Sequence, residues 1–260
     1  DWRPATYHAQ AIAARSYAIH RILNHGPGRH HDVEATQISQ AYVGLTDHVL
    51  ARRAVLDTAG IVLTWDGRVL EALYSSSCGG VTQSATQAFG GPGPPPLDAQ
   101  PHDDWCEISP DFRWGPIQRD AATLSNRIRA WGLARRLTVA KIGRIRRIDV
   151  ADRNAHGRPI RFALADDRGR RFLLRAESMR LACNYASSKR GVKALPRSRQ
   201  LPSGFFEAAV AGDTVRFTGR GRGHGVGLCQ WGAEAMARRG LDGAAILYKY
   251  YPGARLERAY

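Results

Sequence analysis

The chain has 260 residues, of which 43% are hydrophobic and 23% are charged, so it can bury one large core or two small ones. Its 38 basic and 23 acidic residues give a formal net charge of +15, which favours contact with polyanions such as nucleic acid, anionic lipid or acidic cell-wall polymers; the alternative is a solvated basic surface. The arginines lack interleaved aromatic residues and any nucleic-acid-binding module, which argues against specific DNA or RNA recognition, and no apolar run approaches the ~18 residues that span a bilayer.

The first predicted element is a helix from Pro4 to about Asn24. Proline is tolerated in a first helical turn, and apolar residues recur at helical spacing along the segment. Gln10 and Tyr17 are seven residues apart and share one face, whereas Arg15 emerges nearer the opposite side. These polar side chains are candidates to contact a ligand; the alternative is that they bond neighbouring backbone.

A β-hairpin is predicted next, in a β-type region that begins at about Val55. Its strands are Ile61–Trp65 and Arg68–Tyr74, and the turn between them is Asp66-Gly67. The hairpin leads to the loop Ser75–Gly80, with the sequence Ser-Ser-Ser-Cys-Gly-Gly. Small polar loops that follow strands often contact ligands, although a serine-rich loop also occurs without any ligand.

The middle of the chain alternates between loop, helix and strand signals. Gly90–Asp104 is too rich in proline and glycine for a regular element and is predicted to form an exposed excursion. A helix is predicted over Ala121–Trp131, and a short one over Ala176–Leu181. Between them, arginines alternate with aliphatic residues, which predicts a β-rich insertion from about 138 to 175.

The most distinctive stretch is the glycine run, Phe217–Ala233. Glycines at 219, 221, 223, 225 and 227 remove every second side chain, so that a backbone or a ligand can approach closely. Neither G-x-G-x-x-G nor G-x-x-x-x-G-K-[ST] fits this spacing, which argues against a nucleotide-binding loop. His224 and Gln230 are the polar groups that remain to act.

The last elements are two helices and a strand. The sequence predicts one helix over Gln230–Arg239 and a second, capped by Asp242, that runs to about Tyr250. A final strand is predicted around Arg255–Arg258. Since no internal repeat is evident, the fold class predicted is α+β, a single mixed domain with a helix-backed core and β-rich insertions.

The four cysteines occur in two sequence neighbourhoods. We expect two disulfides, Cys78 with Cys106 and Cys183 with Cys229, although four cysteines allow three connectivities and spacing cannot choose among them. Free buried cysteines are the alternative for the second pair. Zinc ligation by His102, Cys106 and Cys78 is a weaker alternative because no C-x-x-C pair is present, and no metal or other cofactor is predicted.

Four motifs in this order resemble the stage II sporulation protein D and amidase-enhancer (SpoIID/LytB) family. They are A-Q-A-I-A-A-R-S-Y at 9–17, Y-S-S-S-C-G-G at 74–80, G-R-G-H-G-V-G-L-C-Q-W-G-A at 221–233 and A-I-L-Y-K-Y-Y-P-G at 245–253. The resemblance covers nearly the whole chain, 1–260, as one domain, and is least specific between 92 and 202.

The resemblance implies an extracytoplasmic bacterial protein, secreted or held in the cell envelope, that acts on peptidoglycan glycan strands. The sporulation branch of the family cleaves the bond between N-acetylmuramic acid and N-acetylglucosamine as a lytic transglycosylase, leaving an anhydro end. One glutamate with a raised pKa protonates the leaving oxygen and then takes the proton from the attacking hydroxyl. The alternative is a non-catalytic peptidoglycan-binding protein that stimulates a cell-wall amidase.

The resemblance also implies positions for the site. Its substrate-contacting residues would be Gln10, Arg15, Tyr17, Ser75, Ser76, Ser77, Gly79, Gly80, His224 and Gln230. The family's glutamate would precede Asp1, and because the sequence starts there without a methionine or a signal segment, we expect a preceding segment. Glu71 is the best internal carboxylate, with Asp103 and Asp104 below it, although its alternation in a strand favours a structural role. A further alternative makes Cys78 a nucleophile served by His224.

Overall fold

A computed structural model describes residues 1–24, 31–34, 44, 46–100 and 104–260. The α-helices of the described part are α1 Pro4–Asn24, α2 Val49–Asp57, α3 Ala85–Phe89, α4 Ala121–Ala134, α5 Ala176–Asn184, α6 Gln230–Arg238 and α7 Gly243–Tyr250. Its strands are β1 Ile61–Trp65, β2 Arg68–Val69, β3 Tyr74–Ser75, β4 Arg113–Asp120, β5 Ile145–Arg153, β6 Pro159–Asp166, β7 Arg171–Arg175, β8 Phe206–Ala211, β9 Thr214–Arg220, β10 Leu228–Cys229 and β11 Arg255–Arg258.

The strands form four small sheets rather than one large one. Three of them have three strands each, in the orders β11-β1-β2, β4-β9-β8 and β5-β6-β7, and all of their pairs are antiparallel. The fourth is the short parallel pair β10-β3, which joins the end of the glycine run to the start of the Ser75–Gly80 loop. The predicted α+β class is therefore confirmed.

Two hydrophobic clusters form the core. The first contains apolar residues of α1, α6, α7 and β1 together with the Ser75–Gly80 loop, and Leu63, Ala233 and Tyr251 are fully buried in it. The second lies among α4, α5 and the strands β4–β9, where Phe162 stacks on Phe206 with ring centroids 4.3 Å apart. We call these the motif half and the β-rich half; the description of 1–260 as one domain stays a prediction.

The helices with the clearest sequence signals form where they are predicted. Helix α1 has the predicted bounds, and Asp242 caps α7 by accepting a 2.8 Å hydrogen bond from the Ala245 amide. The hairpin pairs Thr64 with Val69 around the Asp66-Gly67 turn, but its second strand has only two residues. Residues 55–57, predicted as the start of a β region, instead complete α2.

Within 90–100, the described part of the predicted excursion 90–104, most residues are exposed or partly exposed, with one buried turn. Pro96 and Leu97 form a short 3₁₀ turn and are buried against the motif half. Proline suits such a turn because its φ is fixed and its missing amide costs no hydrogen bond there. None of the described helices combines the length and the apolar character needed to cross a membrane.

Candidate functional site

Helices α1 and α6 bring two predicted site residues together. The side-chain amide of Gln230 donates a 3.1 Å hydrogen bond to Oε1, the side-chain oxygen of Gln10. One turn further along α6, the Glu234 carboxylate accepts from the Thr6 hydroxyl at 2.8 Å and from the Arg3 amide at 2.9 Å. The two helices are thus fixed against each other by polar contacts at both positions, with the amide pair at the partly exposed end.

The Ser75–Gly80 loop runs alongside the glycine run and is bonded to it repeatedly. The Ser77 amide donates to the Arg222 carbonyl and the Arg222 amide donates to the Ser77 carbonyl, at 3.1 and 2.8 Å. The Ser75 hydroxyl accepts from the Gly225 amide at 3.2 Å, and the Trp231 amide donates to the Ser76 carbonyl. Ser75 and Ser77 are buried, so Ser76 is the serine of this loop that keeps partial exposure.

The glycines of these two segments are used to bring backbones together. Gly79 and Gly221 both adopt positive φ, +74° and +73°, a region that other residues enter only with strain. A Cβ on Gly221 would lie 2.5 Å from the Ser77 carbonyl oxygen, and one on Gly79 would lie 2.8 Å from the Gly221 nitrogen. At these positions the close approach predicted from the glycine alternation is made by protein backbone.

His224 is held by backbone on both sides. Its Nδ1 accepts a 3.1 Å hydrogen bond from the Val226 amide, the Phe89 ring lies edge-on to it, and the Tyr74 backbone bonds to the ring as well. Burial lowers the pKa of His224 to about 4, so the ring is neutral at physiological pH. Through these bonds His224 connects the glycine run to the start of β3.

Arg158 reaches the site from the β-rich half. It is fully buried, and its guanidinium donates to the Cys78, Val81 and His224 carbonyls at 2.8, 2.6 and 3.1 Å. Burial lowers its pKa to about 10, so the side chain stays charged at neutral pH. One cation therefore binds the carbonyls of both the serine loop and the glycine run, which fixes the spacing between them.

Arg15 and Tyr17, two of the predicted substrate contacts, interact with other parts of the protein. Arg15 donates to the Thr58, Ile61 and Val55 carbonyls, which braces the connection between α2 and β1. Tyr17 is buried and lies close enough to Tyr74 to contribute, after burial, to a Tyr74 pKa of about 12. Arg15 thus bonds neighbouring backbone, which was the alternative to contact with a ligand.

The described carboxylates near the site are paired. Glu71, the internal candidate for the general acid, lies 3.4 Å from an Arg21 nitrogen. Burial raises the pKa of Glu234, but hydrogen bonds from the Arg3 amide, Arg238 and Thr6 outweigh it and lower the pKa below its ordinary value. Asp111 forms a bidentate ion pair with Arg222 in the glycine run. The side chains of Asp103 and Asp104 lie outside the described part.

Three of the four cysteines cluster in the motif half. The ligand sulfurs of Cys78, Cys106 and Cys229 all lie within 4.8 Å of one another and are buried. The Cys78 and Cys106 sulfurs are 3.5 Å apart, beyond the ~2.05 Å of a disulfide, so the expected bond is not confirmed and all four cysteines are free thiols. Three thiols in this arrangement are a ligand set that zinc takes, with Cys229 present where His102 was considered; His102 lies outside the described residues.

The predicted Cys183–Cys229 pair is wrong. Cys183 is buried in the β-rich cluster beside Arg119, whereas Cys229 packs with Cys78 in the motif half. A nucleophilic Cys78 is also disfavoured, because hydrogen bonding within the cluster and burial raise its pKa and only 1% of its surface is exposed. Cys106 shows the opposite direction, since hydrogen bonds from the Cys229 and Cys78 thiols lower its pKa.

Arg158 and Glu234 are important residues that sequence reasoning missed. Arg158 follows a Gly-containing turn in a region with many arginines, so no local pattern distinguishes it. Glu234 had a usable signal, because it follows Gln230 by four residues and therefore lies on the same face of α6.

Comparison with known proteins identifies the relatives of the chain. The SpoIID family model, described as stage II sporulation protein, matches residues 1–65. An uncharacterised protein of Brachyspira hyodysenteriae is 28% identical over 257 residues, which covers 97% of this chain and 61% of that protein. The resemblance predicted from the four motifs is confirmed.

Two named relatives extend the comparison. The amidase enhancer of Bacillus subtilis is 26% identical over 283 residues, 98% of this chain and 38% of that protein. Stage II sporulation protein D of Bacillus amyloliquefaciens is 23% identical over 278 residues, 100% of this chain and 70% of that protein. The chain thus spans about three-fifths and two-fifths of the length of the Brachyspira protein and the amidase enhancer.

Proposed function

We propose that this chain, similar to SpoIID-family proteins along nearly all of its length, binds bacterial peptidoglycan glycan strands outside the cytoplasm and forms the glycan-binding part of a lytic transglycosylase. The observation that carries the proposal is the hydrogen bond between Gln230 and Gln10. It joins the first family motif to the third, and the Trp231 amide joins the same place to Ser76 in the second.

The side chains at this junction suit a neutral sugar. Carboxamides both donate and accept hydrogen bonds, as hydroxyl and acetamido groups of a glycan require. Trp231 follows Gln230 in the chain, and its partly buried ring packs on that of Trp2, with centroids 5.1 Å apart; together the two rings offer apolar surface for a sugar face. His224, Arg158 and the buried serines hold the loops in place behind this surface.

The proposal places the general acid in the segment that precedes Asp1 in the family. A transglycosylase acid must be protonated near neutral pH, whereas Glu234 is held ionised and Glu71 is paired with Arg21. The beginning of the described chain lies beside the junction, since the Arg3 amide binds Glu234 and Trp2 packs on Trp231. A carboxyl group delivered from that direction would enter next to Gln10 and Gln230.

Product analysis tests the proposal. A form of the protein that carries a glutamate-containing segment ahead of Asp1, as in the family, is incubated with glycan strands stripped of stem peptides, and mass spectrometry is expected to detect anhydro-muramyl ends. The Gln10→Ala/Gln230→Ala double variant is expected to lose most of this activity, and Gln118→Ala, an exposed glutamine on β4, is expected to retain it. Glycan binding without anhydro products would reject the enzymatic assignment.

The second candidate is a non-catalytic amidase enhancer. It is favoured by one observation, that the described carboxylates around the junction are ion-paired or hydrogen-bonded. The name of the Bacillus subtilis relative points the same way. This function predicts that adding the chain to purified walls and a wall amidase increases the rate of peptide release, and that the Gln10→Ala/Gln230→Ala variant does not.

A further inference from the structure

A cavity of about 450 Å³ lies in the β-rich half, where β4 and β8 begin and β9 ends, next to the turn between β5 and β6. Its wall combines cationic side chains with aromatic rings, chiefly Arg113, Arg153, Arg220, His156, Trp114 and Phe205. The volume is in the range of ordinary small-ligand pockets. The Gln10–Gln230 junction contributes no residue to this wall.

Two arginines on this wall are neighbours across the sheet. Arg113 and Arg220 are direct register partners in the β4–β9 ladder, an arrangement in which like charges repel. Neither has a carboxylate partner within the described ranges, and Glu207, the acidic residue of the wall, is already paired with Arg153 at 2.5 Å. The wall therefore carries uncompensated positive charge at one place.

Aromatic residues flank the arginine pair on the two faces of the sheet. Arg220 lies over the Phe205 ring, 5.8 Å from its centroid, so this ring adjoins the pair. Trp114 lies opposite Gly219 in the next pair of the ladder. Because successive side chains of a strand point to opposite faces, its ring covers Gly219 on the other face. The buried indole N–H of Trp114 finds no acceptor in the part of the chain that the structure describes. A ligand on the arginine face would meet two cations and the Phe205 ring.

We propose that this cavity binds a carboxylate-bearing peptide end, with Arg113 and Arg220 holding the carboxylate and the ring of Phe205 covering the adjoining apolar body. A guanidinium matches the two oxygens of a carboxylate by paired hydrogen bonds. An anion at this position also relieves the repulsion between the opposed arginines. The chemistry of the cavity supports a carboxylate ligand independently of the proposed function. Only the assignment of the peptide end to the stem peptides of peptidoglycan rests on that function.

A titration of the full chain tests the proposal with three probes: N-acetyl-alanyl-alanine, its C-terminal amide and glycerol phosphate. The readout is the NMR signal of the Trp114 indole N–H, assigned by its loss in Trp114→Phe. We expect the free acid to shift this signal and the amide to leave it in place. Arg113→Gln/Arg220→Gln is expected to weaken binding at least tenfold, whereas Arg216→Gln, an exposed arginine of β9 outside the cavity, is expected to have no effect.

The unliganded double variant provides a second measurement. Its Tm is expected to equal or exceed that of the parent, because two opposed cations are removed. An equal response to acid and amide, no response to either, or full affinity in the double variant would overturn the proposal. Tighter binding of glycerol phosphate would overturn the carboxylate assignment and indicate a phosphate polymer. The Gln10→Ala/Gln230→Ala variant is expected to show the same NMR shift with the dipeptide as the parent. A loss of glycan binding at the junction can therefore be distinguished from a loss of dipeptide binding in the cavity.

Discussion

The motif half and the β-rich half of this protein use their backbones differently. In the motif half, the serine loop and the glycine run meet through irregular hydrogen bonds at distances that Gly79 and Gly221 alone permit. In the β-rich half, regular antiparallel ladders and stacked phenylalanines such as Phe162 and Phe206 hold the strands. Volume-conserving apolar changes are tolerated in the second kind of packing, whereas a Cβ is not tolerated in the first.

The four motifs lie in the motif half, but the β-rich half also contributes to the site. Arg158 belongs to the β-rich half, yet its three hydrogen bonds end on carbonyls of the motif half. The shape of the candidate site thus depends on a residue that lies outside every recognisable motif. Substitution of Arg158 tests that dependence directly and is expected to have the largest effect.

Arg158→Met is expected to cost roughly 3 kcal/mol or more of unfolding free energy, because it removes a buried cation and leaves the Cys78 and Val81 carbonyls without that donor, while the His224 carbonyl keeps its hydrogen bond from Gln83. Urea denaturation followed by far-UV circular dichroism measures the change. Arg146→Met, at an exposed position on β5, is the control and is expected to change stability by less than about 0.5 kcal/mol. Equal stability of the two variants would show that the halves are not coupled through Arg158.

Gly221→Ala is expected to destabilise by roughly 2–4 kcal/mol, since it adds a Cβ next to the Ser77 carbonyl at positive φ. Gly212→Ala is the matched control in the β8–β9 turn, where φ is also positive, +56°, and no atom lies within 4 Å of the new Cβ. It is expected to cost about 1 kcal/mol. Similar losses in both variants would mean that backbone strain alone, and not close approach, requires glycine in the run.

His224 is expected to make stability depend on pH. The pKa of His224 in the folded chain, about 4, lies below its ordinary value of 6.5. Between these two pH values the ring is protonated in the unfolded chain and neutral in the folded chain. Stability from this group is present above pH 6.5, is lost as the pH falls toward 4, and amounts to roughly 2–3 kcal/mol. The measurement is the difference in unfolding free energy between the parent and His224→Gln; a difference that stays constant from pH 7 to 4.5 would contradict the buried neutral ring.

Much of the motif half could be predicted because its signals are local. The spacing of apolar residues gives α1 and α6, and Asp242 marks the start of α7. Helix α2 was missed because its cap is His48, whose ring Nδ1 accepts a hydrogen bond from the Ala51 amide, and histidine is not among the usual cap residues. The β8–β9 hairpin was missed because β9 merges with the glycine run.

The parts of the site that could not be predicted depend on tertiary packing. No spacing shows that Cys229 joins Cys78 and Cys106 instead of Cys183, because that grouping depends on which cluster each strand and helix enters. The role of the glycines was predicted in kind, as close approach, but the approaching group is the serine loop. Gln10 and Gln230 were both chosen from the sequence, and the structure places them in contact.

The central claim is that the Gln10–Gln230 junction is where glycan binds. The most direct measurement is co-sedimentation of the chain with insoluble glycan strands stripped of stem peptides. We expect Gln10→Ala/Gln230→Ala to weaken glycan binding at least tenfold with little change in Tm. We expect Gln118→Ala to bind glycan as the parent does. Undiminished binding by the folded double variant would contradict the central claim.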